Sequence, residues 1–110
     1  MNVTVRTNGI ELTDELRERI ERKLEFALDR HQSRLTEVSV FLADVNGPRG
    51  GADKLCQITA SVKGLSPVKM LEQSSDLTLS IHRAVHRLGF RLSEQTRRQR
   101  KPEPLSIRTA

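Results

Sequence analysis

Apolar residues in this chain recur at every second position in four short runs and at every third or fourth position in two longer ones. The order of those runs constrains the fold more than any other feature. Val3 and Val5 alternate with Asn2, Thr4 and Arg6, as in a short strand. Asn8-Gly9 interrupts it. Leu16, Ile20, Leu24, Ala27 and Leu28 then recur at helical spacing. Thr13 is placed to cap that helix, and Asp14 and Glu15 lie in its first turn, where carboxylates favour the helix dipole. A helix over 13–31 is predicted.

Val38, Val40 and Leu42 alternate with Ser39, Phe41 and Ala43, which reads as a second strand. Asn46-Gly47-Pro48-Arg49-Gly50-Gly51 is a loop by composition. Cys56, Ile58, Ala60 and Val62 form the cleanest alternation in the chain. After Gly64-Leu65-Ser66-Pro67, Val68 and Met70 face one way and Lys69 and Leu71 the other, so these two strands are expected to form an antiparallel hairpin. Leu77, Ile81, Ala84, Val85, Leu88 and Leu92 give the stripe of a second helix. Ser74, Ser75 or Asp76 is positioned to cap it, and it is expected to fade near Arg98. Gly89 within it costs about 1 kcal/mol of helix propensity against Ala, and close packing would account for it.

The order is therefore β-α-β-β-β-α. Each strand has one apolar face and each helix one apolar stripe. The economical arrangement is an α+β fold of two layers, a four-stranded sheet with both helices packed on one face, resembling double-stranded-RNA-binding folds. The other sheet face is expected to be polar and wet. A chain of 110 residues suits one domain. The expected boundaries are a domain over 1–98 and a basic, disordered tail over 99–110, which contains Pro102 and Pro104.

No stretch approaches the ~18–20 consecutive apolar residues of a membrane span. The opening Met1-Asn2-Val3-Thr4-Val5-Arg6 has no apolar core of a signal peptide. Cys56 stands alone, so no intrachain disulfide forms, and a cytoplasmic protein is the simplest reading. With three Phe and no Tyr or Trp, a nucleic-acid reader built on several stacking aromatics is not expected.

The net charge of +5 is unevenly spread. Residues 1–80 hold 11 Lys/Arg and 12 Asp/Glu, whereas residues 81–110 hold 8 and 2. The whole excess lies in the last part of the chain, which points to an anionic partner there, nucleic acid before acidic membrane.

At about 100° per residue, the second helix keeps its stripe within about 60° of Ile81. His82, His86 and Arg97 fall at about 100–160°, and Arg83, Arg87, Arg91 and Arg98 at about 200–280°. Arg83, Arg87 and Arg91 form an i, i+4 row able to follow a phosphate backbone, and the planar fork of Arg suits phosphate. Phe90 lies opposite the core stripe. It would stack on a splayed base, touch a partner protein, or pack on the tail or the other helix. On the first helix, Glu18, Glu21, Glu25 and Asp29 form an outer ridge, and Arg19, Arg22, Lys23 and Arg30 form a flank with Phe26 among them. That flank would join the second helix's surface if the helices lie side by side. Taken alone, it reads as a solvated face braced by pairs such as Glu18–Arg22.

Catalysis has little support. His82 and His86 have the spacing of a zinc helix, but Arg83 stands where the Glu of H-E-x-x-H belongs, and no Cys/His cluster completes a site. Cys56 reads as a core residue. The glycine loop lacks the G-K-[ST] ending of a P-loop, although Arg49 could add a phosphate contact. No cofactor or metal is expected.

The element order and the stretch Asp76-Leu77-Thr78-Leu79-Ser80-Ile81 resemble the ribosome hibernation factor family, also called the ribosome-associated inhibitor or sigma-54 modulation family. Its second helix typically opens with Asp-Met-Tyr-Ala-Ala-Ile and continues with a Lys-Leu pair, here Arg87-Leu88. Glu11-Leu12-Thr13-Asp14-Glu15-Leu16-Arg17 is similar to the family's entry to its first helix. The run from Asp44 to Lys54 is similar to a loop of a short-form branch. The resemblance covers about residues 1–98.

It implies a non-enzymatic translation inhibitor that binds the small ribosomal subunit and its ribosomal RNA, in the channel of messenger and transfer RNA, and idles the ribosome in starvation. By position, the RNA-binding residues it implies are Arg22, Lys23 and Arg30 on the first helix and Arg83, Arg87, Arg91, Arg97 and Arg98 on the second. Thr78 replaces the usual Tyr, and Phe90 and Glu94 fall where basic residues are common. The resemblance also implies a short form, without the domain that pairs ribosomes, and a free monomer. Two further readings stand beside it: a structured-RNA or DNA-binding module without ribosomal specificity, and a protein–protein regulator using the open sheet face and Phe41.

Overall fold

The computed structural model describes residues 1–45 and 52–100, with side chains to Arg98. The expected loop at 46–51 and residues 101–110 of the expected tail lie outside the described residues. The elements run β1 (Asn2–Asn8), α1 (Asp14–Leu28), a 3₁₀ turn (Asp29–His31), β2 (Leu35–Asp44), β3 (Lys54–Val62), β4 (Val68–Ser74) and α2 (Leu77–Arg100). The four strands form one sheet in the order β1-β2-β3-β4. β1 runs parallel to β2, with α1 as the crossover between them, and the other two pairs are antiparallel.

Register explains why one face is apolar. Val5 pairs with Val40, Val40 with Ile58, and Ile58 with Met70, so one row of inward side chains crosses the whole sheet. Val3, Val38, Ala60 and Val68 form the row beside it. Ile20, Leu24 and Leu28 of α1 and Ile81, Ala84, Val85, Leu88 and Leu92 of α2 join these strands in a single buried cluster. Both helices therefore cover the same face, and the expected two-layer architecture is observed. On the open face, the Arg6 guanidinium lies 5.8 Å from the centre of the half-buried Phe41 ring.

The Thr13 hydroxyl accepts from the Leu16 amide at 3.1 Å, so Thr13 caps α1 as its sequence position suggests. Asp76 caps α2, its carboxylate accepting from the Thr78 amide at 3.0 Å. Ser74 instead bonds the Ser80 hydroxyl at 2.7 Å, and Ser80 donates to the Lys54 carbonyl at 2.7 Å. This chain of hydroxyls pins the first turn of α2 to β3 and β4.

Two expected boundaries shift. The first helix ends at Leu28, and the chain tightens into the 3₁₀ turn over Asp29–His31. α2 runs past Arg98, the expected position of its end, to Arg100.

Candidate nucleic-acid interface

α1 and α2 lie side by side, and between them runs an open groove of about 1110 Å³. α1 contributes Arg19, Arg22, Lys23 and Phe26 to it, and the turn below contributes Asp29, Arg30 and His31. α2 contributes Thr78, His82, His86, Gly89, Phe90 and Ser93. The groove thus brings Arg22, Lys23 and Arg30, three of the expected RNA-binding residues, into one concavity. Four cations, Arg19 included, face a single carboxylate, Asp29. Arg22 is paired only loosely, 3.9 Å from Glu18, with both side chains mostly exposed. Such a pair contributes little and yields readily to a phosphate.

The expected row on α2 does not behave as one unit. Arg83, Arg87 and Arg91 are all exposed, but they do not line the groove. Arg83 and Arg87 line a smaller cleft with His82, His86 and Glu72. There Arg87 forms an ion pair with Glu72 and also reaches the Leu71 carbonyl at 3.4 Å. Glu72 shares the inward register of Val68 and Met70, opposite Cys56, so β4 offers its carboxylate to the helix above. A carboxylate in the inward series of a strand was a signal available in the sequence. Arg97 and Arg98 are exposed near the end of α2.

Other cations serve the fold. Arg34 donates to the Thr96 hydroxyl, tying the start of β2 to the end of α2. Lys54 lies 2.9 Å from Asp53 and 3.4 Å from Asp44. The bond to Asp53 raises the Lys54 pKa and lowers that of Asp53. Next to Arg34, the buried His31 ring lies 3.3 Å from the Ser93 hydroxyl. Burial, then the Arg34 and Arg30 charges, pushes the His31 pKa below 6.5.

Of the three positions read from the sequence as departures from the resembled pattern, two lie at the groove. Thr78 and Phe90 line it, and Glu94 is half-buried further along α2. Phe26 is 90% exposed and Phe90 65%. α1 stands across the groove from Phe90 and does not bury the ring. The His82 and His86 rings stack with centres 6.2 Å apart. No cluster of three or more potential metal ligands occurs among the described residues. Cys56 is fully buried, and burial, with the Glu72 charge adding to it, pushes its thiol up to about 12. It is a core residue and a poor nucleophile. No described helix is long and apolar enough to cross a membrane.

Comparison with known proteins accords with this architecture. The family model for sigma-54 modulation protein / S30EA ribosomal protein matches residues 3–100. The N-terminal domain of Protein Y from Thermus thermophilus is similar in structure, with a TM-score of 0.71 and 27% identity, over 86% of this chain and 98% of that one. A ribosomal subunit interface protein from Coxiella burnetii gives a TM-score of 0.71 at 18% identity, over 87% of this chain and 98% of that one, and so shares the fold. Among curated proteins, no relative matches.

Proposed function

The chain belongs to the sigma-54 modulation protein / S30EA ribosomal protein family, and on that premise we propose that it is a ribosome-binding hibernation factor. It occupies the messenger and transfer RNA channel of the small ribosomal subunit and blocks translation by steric exclusion, without catalysis. The observation that carries this reading is the groove between α1 and α2, where four cations face one carboxylate. A rigid, concave, cationic face grips structured RNA through phosphates and shape, with little base readout.

The contact set is Arg22, Lys23 and Arg30 at the groove, with Arg83, Arg87, Arg91, Arg97 and Arg98 along α2. The partners are the small subunit and its ribosomal RNA, the protein acts as a cytoplasmic monomer, and no cofactor takes part. The family's description as a ribosomal protein, matched over residues 3–100, supports a ribosomal partner.

Co-sedimentation with purified ribosomes and separated subunits, at low and high salt, tests the proposal. Binding to the small subunit is expected to fall steeply with salt, with a log–log slope of several units if ~5 phosphates are neutralised. Competition by transfer RNA is expected if the channel is the site. Folded protein that stays in the supernatant at low salt would overturn the ribosomal reading.

A further inference from the structure

Two exposed phenyl rings on separate helices share the groove. Phe26 directly precedes Ala27, and Phe90 directly follows Gly89. A Cβ placed on Gly89 would lie 3.5 Å from the Ala27 carbonyl oxygen. The rings therefore flank a point where the two helices come close. At 90% and 65% exposure, neither is covered by the protein itself. Large apolar side chains gathered on one concave surface mark a binding site.

We propose that Phe26 and Phe90 form a base-stacking site for unpaired nucleotides of an RNA strand, with Arg22, Lys23 and Arg30 holding the adjacent phosphates. The proposal rests on the reading of this face as an RNA-binding face and names what it grips. Two properties of the groove select this occupant. Its charge calls for a polyanion, and its rings call for a flat apolar surface beside each anion. A single strand presents both in every repeat, because every base has a π-face. A duplex hides those faces inside its stack. An anionic bilayer offers charge and apolar matter, but a flat surface does not enter a groove between helices. The two rings also give the departure at Phe90 a role. Phe90 offers a base contact there, matched by Phe26 across the groove.

The probe is a short RNA carrying 2-aminopurine, whose fluorescence is quenched on stacking. The chain has no Trp or Tyr, so the signal is free of protein emission. With the full chain, quenching is expected for the single strand and not for a duplex of the same sequence. Phe26→Leu and Phe90→Leu keep apolar bulk and remove the aromatic face. Each is expected to weaken single-strand binding about tenfold, to reduce the quenching, and to leave the melting temperature unchanged because both rings are exposed. No quenching, or quenching that survives both substitutions, would overturn the proposal. So would equal affinity for single strand and duplex, or binding to anionic vesicles in place of RNA. Co-sedimentation with ribosomes, run on the same variants, separates the two readings. Phenyl-dependent quenching without ribosome binding supports the stacking site while removing the ribosomal partner. Ribosome binding indifferent to both substitutions, without quenching, removes the stacking site alone.

Discussion

The two flanks of α2 carry polar and cationic side chains at the same helical spacing, yet they meet different neighbours. The flank toward α1, with Thr78, His82, His86 and Ser93, faces the cations Arg22, Lys23 and Arg30 across a groove lined by one carboxylate. The flank toward β4 meets Glu72, which takes Arg87 into an ion pair. On a helical wheel both flanks merge into one basic surface. In the fold, the register of an edge strand decides which of those cations is engaged before any ligand arrives. The groove lining has four cations to one carboxylate against two to one in the cleft, and the Arg22–Glu18 pair at its edge is loose, whereas Arg87–Glu72 is close.

This contrast is open to a direct break. Replacing Arg22, Lys23 and Arg30 with Glu should reduce small-subunit binding by more than about a hundredfold near physiological salt, since several phosphate contacts reverse sign. Each lost phosphate contact should also lower the salt slope by about one. Sedimentation with an unchanged slope would mean that the groove is not the contact surface. Reversal of Arg83 and Arg91 on the other flank should have a smaller effect.

The next effect is a few-fold change in the opposite direction. Glu72→Gln keeps the shape of the side chain and removes its charge, so Arg87 is freed for a phosphate. Binding should tighten a few-fold, the gain of one cation. In a double-mutant cycle, Arg87→Ala should weaken binding more in the Glu72→Gln background than in the parent. An equal loss in both backgrounds would show that the ion pair does not withhold Arg87.

The same contrast marks what the sequence could teach. Alternation at Cys56, Ile58, Ala60 and Val62 and the stripe from Leu77 to Leu92 determine burial by period alone, so the two layers were legible. Thr13 was legible because its cap is a local interaction, three residues long. Glu72 was not singled out, because a lone carboxylate between Leu71 and Gln73 looks solvated until the inward series of Val68 and Met70 is extended to it. Arg34 was missed for a related reason. Its partner Thr96 is 62 residues away, and no local pattern joins them. The groove was legible only as a condition, that the helices lie side by side. Its depth and the placing of both phenyl rings depend on how α1 and α2 pack, which neither wheel contains.

Gly89 bears on that packing. A methyl group at this position would meet the Ala27 carbonyl oxygen at 3.5 Å and Leu28 Cδ2 at 4.0 Å, ordinary van der Waals contacts. Close approach of the helices therefore does not require glycine. Gly89→Ala should stabilise the protein by up to about 1 kcal/mol through helix propensity. For a domain of this size, that is about 4–8 °C in thermal melting. A lower melting temperature would show that α1 and α2 sit closer in solution than this spacing allows.

The smallest expected effect lies at the foot of the groove. His31 is buried beside Ser93, and burial together with the Arg34 and Arg30 charges holds its folded pKa below the ordinary 6.5. Between those two values the unfolded chain binds a proton that the folded chain does not. Stability is therefore fully present above pH 6.5 and falls as the pH drops toward the folded pKa. His31→Gln removes that titration and retains a group able to hydrogen-bond Ser93. Urea denaturation of both proteins at pH 7.5 and 5.5 isolates the term, because the carboxylates that also titrate are common to the two. The parent should lose more stability on acidification than the variant. Equal losses would mean that His31 protonates in place, with the turn opening to admit the charge, and the foot of the groove would then be softer than the core that supports it.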